Sequence, residues 1–225
     1  MSLKLSILLS SILSVIFFTS YNKTPYNQNS DTETKWILSE IKRSDKNVIQ
    51  FWGTPEIKNS MYGKTVHFNG SDEGFLLNEM PLRNLEEFTI EAIFHPDRDG
   101  NFAQRFFHCG EVTGSRVLLE TRSKNGNWYF DAYIKTNKGQ LTLIDSTRLH
   151  PLAQWYHVAF VNNKGKLSTY INGIRELEGN VEMVPLKKGK TSIGVRQNLQ
   201  SWFKGSVYSI KVSPRALKPE EFEMK

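Results

Sequence analysis

Apolar and polar side chains alternate with a period of two along run after run of this chain. The clearest are FTIEAIFH (88–95), WYFDAYIK (128–135), WYHVAFV (155–161) and GSVYSIKV (205–212). Alternation in β-branched and aromatic residues marks strands with one face in a core. The clusters DRDG (97–100), KNGN (124–127), NKG (137–139), NNKG (162–165) and KKG (187–189) each predict a hairpin. The spacing predicts about a dozen strands in a two-sheet antiparallel sandwich. SPRALKPEEF (213–222) is the single helical pattern and predicts one short C-terminal helical turn. A βαβ architecture needs helical periods between strands, and none occurs. The fold class is all-β.

The N-terminus follows a different pattern. After Lys4 come fourteen residues, LSILLSSILSVIFF, of which ten are apolar and none charged. A positive start before an apolar stretch of this length reads as a signal peptide over residues 1–20 and is short for a membrane span. Phe17 and Phe18 stand where a cleavage site prefers small residues, so an uncleaved anchor is the alternative. Tyr21 stands where a bacterial lipoprotein carries cysteine. The protein is therefore expected to be exported (periplasmic, cell-surface or secreted), with no lipid anchor and no span once the signal is removed. Residues 21–34, YNKTPYNQNSDTET, read as a polar flexible leader, and 35–225 as one domain.

Composition narrows the function classes. The 225 residues are 39% hydrophobic, which excludes global disorder, and the single cysteine, Cys109, excludes a disulfide scaffold. Five scattered histidines form no metal cluster. The formal charge of +6 suits ordinary solubility or an anionic polysaccharide partner. No recognition helix, zinc spacing or RNP-like strand points to nucleic acid.

The order GKTVHFNGSDE (63–73), FTIEAIFHP (88–96), QWYHVAFV (154–161), LSTYINGI (167–174), SIGVRQN (192–198) and FKGSVYSIKVSPRAL (203–217) resembles the laminin-G-like group of concanavalin A-like lectin/glucanase jelly rolls. The W-x-H-V-A strand, the Y-x-N-G hairpin and the closing G-x-V-x-x-I-x-V…R-A-L carry the resemblance most specifically. It implies a jelly-roll scaffold shared by sugar-binding, protein-binding and catalytic members. Laminarinase-like glucanases carry E-x-D-x-x-E on one strand, and this chain has no such string. LLETR (118–122) and WFKG (202–205) are faint echoes of alginate-lyase strands.

Two hairpins are punctuated well enough to predict which side chains share a face. A two-residue turn at Asn125-Gly126 pairs Arg122 with Tyr129, Glu120 with Asp131 and Leu118 with Tyr133 on one face. The other face then pairs Thr121 with Phe130, Leu119 with Ala132 and Val117 with Ile134, a coherent core side. A loop centred on NNKG pairs Trp155 with Asn172, His157 with Tyr170 and Ala159 with Ser168. Arg196 and Asn198 share a face on SIGVRQN. Arg116, Arg122, Tyr129, Trp155, His157, Tyr170, Asn172, Arg196 and Asn198 are thus the candidate ligand-binding residues. Aromatic rings of such a set stack on sugar C–H faces, and its charged and amide groups read hydroxyls.

Glu120 opposite Asp131 places like charges with Cβ atoms roughly 4.5–5.5 Å apart. Compensation by Arg122 and Arg116 makes the pair an ion network. A split-pKa pair makes it the acid and nucleophile of a retaining glycosidase. Asp97, Asp99 and Asn101 in HPDRDGN are calcium candidates, although a D-G turn explains the same string. No cofactor is required. The expectation is an exported carbohydrate-binding domain; the alternatives are a polysaccharide hydrolase or lyase using the same face, and a protein–protein adhesion domain.

Overall fold

The computed structural model of the protein describes residues 32–223, so the expected signal peptide (1–20) and most of the expected polar leader (21–34) lie outside the described residues. In chain order the strands are β1 (Thr34–Ile37), β2 (Val48–Trp52), β3 (Glu56–Ser60), β4 (Gly63–Asn69), β5 (Gly74–Leu77), β6 (Glu87–Pro96), β7 (Ala103–Gly110) and β8 (Arg116–Lys124). They continue as β9 (Asn127–Lys135), β10 (Gln140–Ile144), β11 (His150–Pro151), β12 (Tyr156–Asn163), β13 (Lys166–Ile171), β14 (Ile174–Asn180), β15 (Lys190–Ile193) and β16 (Lys204–Ser213). Sixteen described strands exceed the expected dozen. The surplus comes from pieces such as β2, β3 and the two-residue β11, which are largely exposed and so show little alternation. A 3-10 turn at Pro219–Glu221 is the expected C-terminal helical turn.

The strands form two antiparallel sheets of eight. The first runs β14-β13-β12-β6-β16-β4-β3, with β1 also on β16. The second runs β10-β9-β8-β7-β15-β5-β2, with β11 also on β9. The inner faces meet in one core, where Phe94 of β6 stacks on Phe106 of β7 at 4.7 Å between ring centroids. Trp128 and Phe203 close on the same rings.

The β8–β9 register agrees with the sequence expectation at every pair, Glu120 against Asp131 included. Both turn residues have positive φ, 50° at Asn125 and 74° at Gly126, as a type I′ turn requires. The β12–β13 register differs by two residues: Ala159 faces Tyr170 and Val161 faces Ser168. The turn falls on Lys164 (φ 49°) and Gly165 (φ 95°) rather than centring on the four residues NNKG. Asn162 stays in the strand, and its side-chain oxygen accepts the Gly165 N–H at 2.8 Å. A shift of two keeps every side chain on its expected face.

Candidate functional site

The two polar hairpin faces do not converge. The β8–β9 hairpin lies in the second sheet and β12–β13 in the first, and each directs its polar face away from the shared core. The sequence-derived candidates therefore divide between opposite surfaces.

On the first sheet the candidates are built into packing. His157 is 6% exposed and bonds Glu91 Oε1 at 3.0 Å. Phe222 covers it and Tyr170, with ring centroids 5.6 and 5.1 Å away. Leu217 and Phe222 pack with Ala159 and Val161 in a second, smaller apolar cluster. Asn172 is a turn residue with φ 48°, and its side-chain oxygen accepts the His157 backbone N–H at 2.9 Å. Trp155 lies apart, against Tyr62 and His95.

Two of the calcium candidates already have partners. Asp97 is taken by His67 at 2.8 Å and His95 at 3.5 Å, while Asp99 pairs with Lys204 at 2.6 Å. Among the described residues no group of three or more His, Cys, Asp or Glu converges as a metal site. A carboxylate that already holds two imidazoles presents few lone pairs to a cation.

The second sheet's outer face carries the connected cluster. A hollow of about 420 Å³ is lined by Arg105, Arg116, Leu118, Glu120, Arg122, Asp131, Tyr133, Thr142, Ile144 and Arg196. Glu120 and Asp131 form its floor, each 2% exposed. Arg122 bridges them, with Nε donating to Asp131 Oδ2 at 2.7 Å and Nη2 to Glu120 Oε2 at 3.1 Å. Arg105 closes the other side, its Nε 2.5 Å from Glu120 Oε1. Burial, and then the facing Asp131 carboxylate, push Glu120 up to about 7 against the pull of Arg105 and Arg122.

The remaining two arginines pair with no carboxylate among the described residues. Arg116 donates to the carbonyls of Thr113 and Gly114 at 2.6 and 2.7 Å and lies over the Tyr133 ring, 5.1 Å from its centroid. Arg196 sits on the loop after β15, and its Nε has no hydrogen-bond partner among the described residues. That loop is clamped from below. The Gln197 N–H donates to His108 Nδ1 at 3.2 Å, and the Gln197 side chain donates to the Lys190 and Gly110 carbonyls. His108 Nε2 lies 3.0 Å from the Glu111 carbonyl, which sets the proton on Nε2 and leaves Nδ1 as the acceptor. Burial, helped by the charges of Arg196, Arg116 and Arg105, drives His108 down to about 4, so the ring is neutral at ordinary pH.

Arg116, Arg122 and Arg196 thus meet Glu120 and Asp131 in one hollow. Tyr129 is beside it but 6% exposed, and Asn198 is exposed on the neighbouring loop, bonded to Gln200. Arg105, Tyr133, Thr142 and Ile144 were not among the candidates. Tyr133 was legible, since the β8–β9 register already placed it on the face of Asp131. Arg105 was hidden by a bulge between Arg105 and Phe107, which sends Phe106 and Phe107 both into the core and breaks the alternation. Cys109 lies fully buried in the core, its thiol pushed up to about 11 by burial, as suits an inert residue.

Two antiparallel sheets packed face to face, with an open polar hollow on one outer surface, define a jelly-roll sandwich. The family model Laminin_G_3, concanavalin A-like lectin/glucanases superfamily, matches residues 69–222, and the chain belongs to that family. A search of the curated proteins finds no match. Among solved structures the chain is similar to domain 4 of AbnA, an extracellular arabinanase of Geobacillus stearothermophilus, in complex with arabinotriose. There the TM-score is 0.59 and the identity 21%, over 75% of this chain and 79% of that one. A native heptameric SAP-like pentraxin of Limulus polyphemus aligns with TM-score 0.56 and 19% identity, over 70% of this chain and 78% of that one. The ligand-binding domain of botulinum neurotoxin serotype D, in complex with N-acetylneuraminic acid, aligns with TM-score 0.55 and 17% identity. That match covers 74% of this chain and 44% of the toxin domain. At these identities the likeness is one of fold. Among the described residues no helix is long and apolar enough to cross a membrane.

Proposed function

We propose that this protein is an exported, lectin-like domain that binds a glycan in the hollow on the outer face of its second sheet. The observation that carries the reading is the hollow itself. Its 420 Å³ is within the range of small-molecule sites, about 300–1,000 Å³, and guanidinium, aromatic and hydroxyl groups converge in it. Similar folds solved with arabinotriose and with N-acetylneuraminic acid support the class of ligand. The buried carboxylates favour binding over bond cleavage. Glu120 and Asp131 are both held by guanidinium groups at 2% exposure, which suits orienting arginines better than attacking a glycosidic bond. One observation favours a glycosidase as the second reading: Glu120, raised to about 7 beside Asp131, has the pKa of a general acid. Export rests on the apolar N-terminal stretch, and cell fractionation tests it.

A glycan panel applied to the purified protein separates the readings. Binding without release of reducing sugar or unsaturated product, lost in Arg196→Ala and retained in Trp155→Ala, is the expected result. Product release abolished by Glu120→Gln and Asp131→Asn moves the protein to the hydrolase reading. Glycan binding lost in Trp155→Ala instead transfers the site to the first sheet.

A further inference from the structure

The hollow carries an imbalance that a neutral sugar leaves unanswered. It is lined by four guanidinium groups and two carboxylates, a surplus of two positive charges with both carboxylates ionised. The neutralisation is also uneven. Arg105 and Arg122 take both carboxylates between them, so the surplus belongs to Arg116 and Arg196. Both line the hollow, and neither pairs with a carboxylate among the described residues. The two side chains come from well-separated parts of the chain, β8 and the loop after β15, and the Gln197–His108 contact fixes the second of them in place. That neutral imidazole accepts a backbone N–H while adding no charge of its own. Across the hollow, Thr142 and Ile144 are exposed, and Tyr133 bonds Gln140 at 3.0 Å.

From this arrangement we infer that the hollow selects a carboxylated sugar residue, a uronate or a sialate-type acid, whose carboxylate is held by Arg196 and Arg116. The inference rests on the glycan reading above and narrows it to one ligand class. A planar carboxylate accepts two parallel N–H bonds from a guanidinium fork, which neutralises the surplus and fixes the orientation of the sugar. The hydroxyls of the same residue then face Thr142 and Tyr133. The buried Glu120–Asp131 pair keeps Arg122 and Arg105 occupied, so the site answers one carboxylate rather than acting as a diffuse polyanion surface.

The test compares acidic glycans with their carboxyl-reduced forms on the same protein by titration calorimetry. The probes are oligogalacturonate, oligomannuronate and sialyllactose, each paired with its reduced counterpart, with a carrageenan oligosaccharide, sulfated but free of carboxylates, as the sulfated comparison. At least one acidic probe is expected to bind ten-fold or more tightly than its reduced form. Arg196→Gln removes that preference and Arg116→Gln weakens it, both with unchanged melting temperature. Arg196→Lys, which keeps the charge but not the fork, restores only part. Equal binding of acidic and reduced forms overturns the carboxylate inference and leaves the glycan reading standing. So does binding of the carrageenan oligosaccharide alone, or an acid preference that survives Arg196→Gln. Absence of binding to every acidic and neutral probe overturns both.

Discussion

Substituting Glu120 by glutamine isolates one of two large electrostatic penalties on the second sheet. The gap between an ordinary glutamate near 4.5 and Glu120 at about 7, at roughly 1.4 kcal/mol per pH unit, amounts to about 3 kcal/mol. Glu120 is an acid whose folded pKa lies above its unfolded one, so the native state holds an extra proton between those values. Its contribution to stability is greatest below pH 4.5 and is lost as pH rises through 7. His108 acts in the opposite sense. It is a base held at about 4 instead of 6.5, so its contribution is intact above 6.5 and lost as pH falls through 4, again by about 3 kcal/mol. Between pH 4.5 and 6.5 the two slopes oppose each other, and the pair leaves the parent profile nearly flat. Glu120→Gln removes one slope and exposes the other. The stability of the variant minus that of the parent is expected to rise by about 3 kcal/mol between pH 4.5 and 7.5. Urea unfolding at fixed ionic strength, at four pH values across that range, measures the difference. In thermal melts it corresponds to roughly 6–12 °C for a domain of this size. His108→Gln is expected to give the mirror image. A Glu120→Gln difference independent of pH refutes the assignment, and one that falls with pH refutes its sign.

Three further outcomes follow from the same geometry. Arg122→Ala leaves two buried carboxylates facing each other and should lower stability by about 3 kcal/mol in denaturant titrations. Much of that loss should return in an Arg122→Ala, Asp131→Asn double variant, and a loss below about 1 kcal/mol counts against the bridging role. Protonating Glu120 raises the surplus in the hollow from two charges to three, so an acidic glycan should bind several-fold more tightly at pH 6 than at pH 8. A Glu120→Gln variant that keeps the full pH dependence by calorimetry contradicts this. Phe222→Ala uncovers His157 and Tyr170 and should cost about 2–3 kcal/mol of stability without altering glycan affinity, since it lies on the opposite sheet. A loss of binding in that variant, measured where it remains folded, shows that the first sheet contributes to the site.

How much of the site was legible depended on how far apart its parts lie in the chain. Glu120, Arg122, Asp131 and Tyr133 sit on one hairpin, and the Asn125-Gly126 turn determines their pairing. Arg116 and Arg196 were found by face, but nothing local brings a residue of the β15 loop to β8. That approach depends on β15 pairing with β7 and on Gln197 reaching His108. Arg105 escaped notice because a bulge changes which side chain faces out.

The sequence by itself determined the strands, most turns and the hairpin faces, because alternation and turn chemistry act over a few residues. It could not determine which sheet each hairpin joins. The β8–β9 and β12–β13 hairpins carry the same apolar-in, polar-out pattern, and either would satisfy a core on its own. Only the long-range pairings, β12 with β6 and β7 with β15, send them to opposite layers. The same tertiary choice covers His157 with Phe222 and places Arg196 at the hollow. Burial and partners are shared between distant segments, so they separate a packed polar residue from a binding one where the local pattern of side chains is the same.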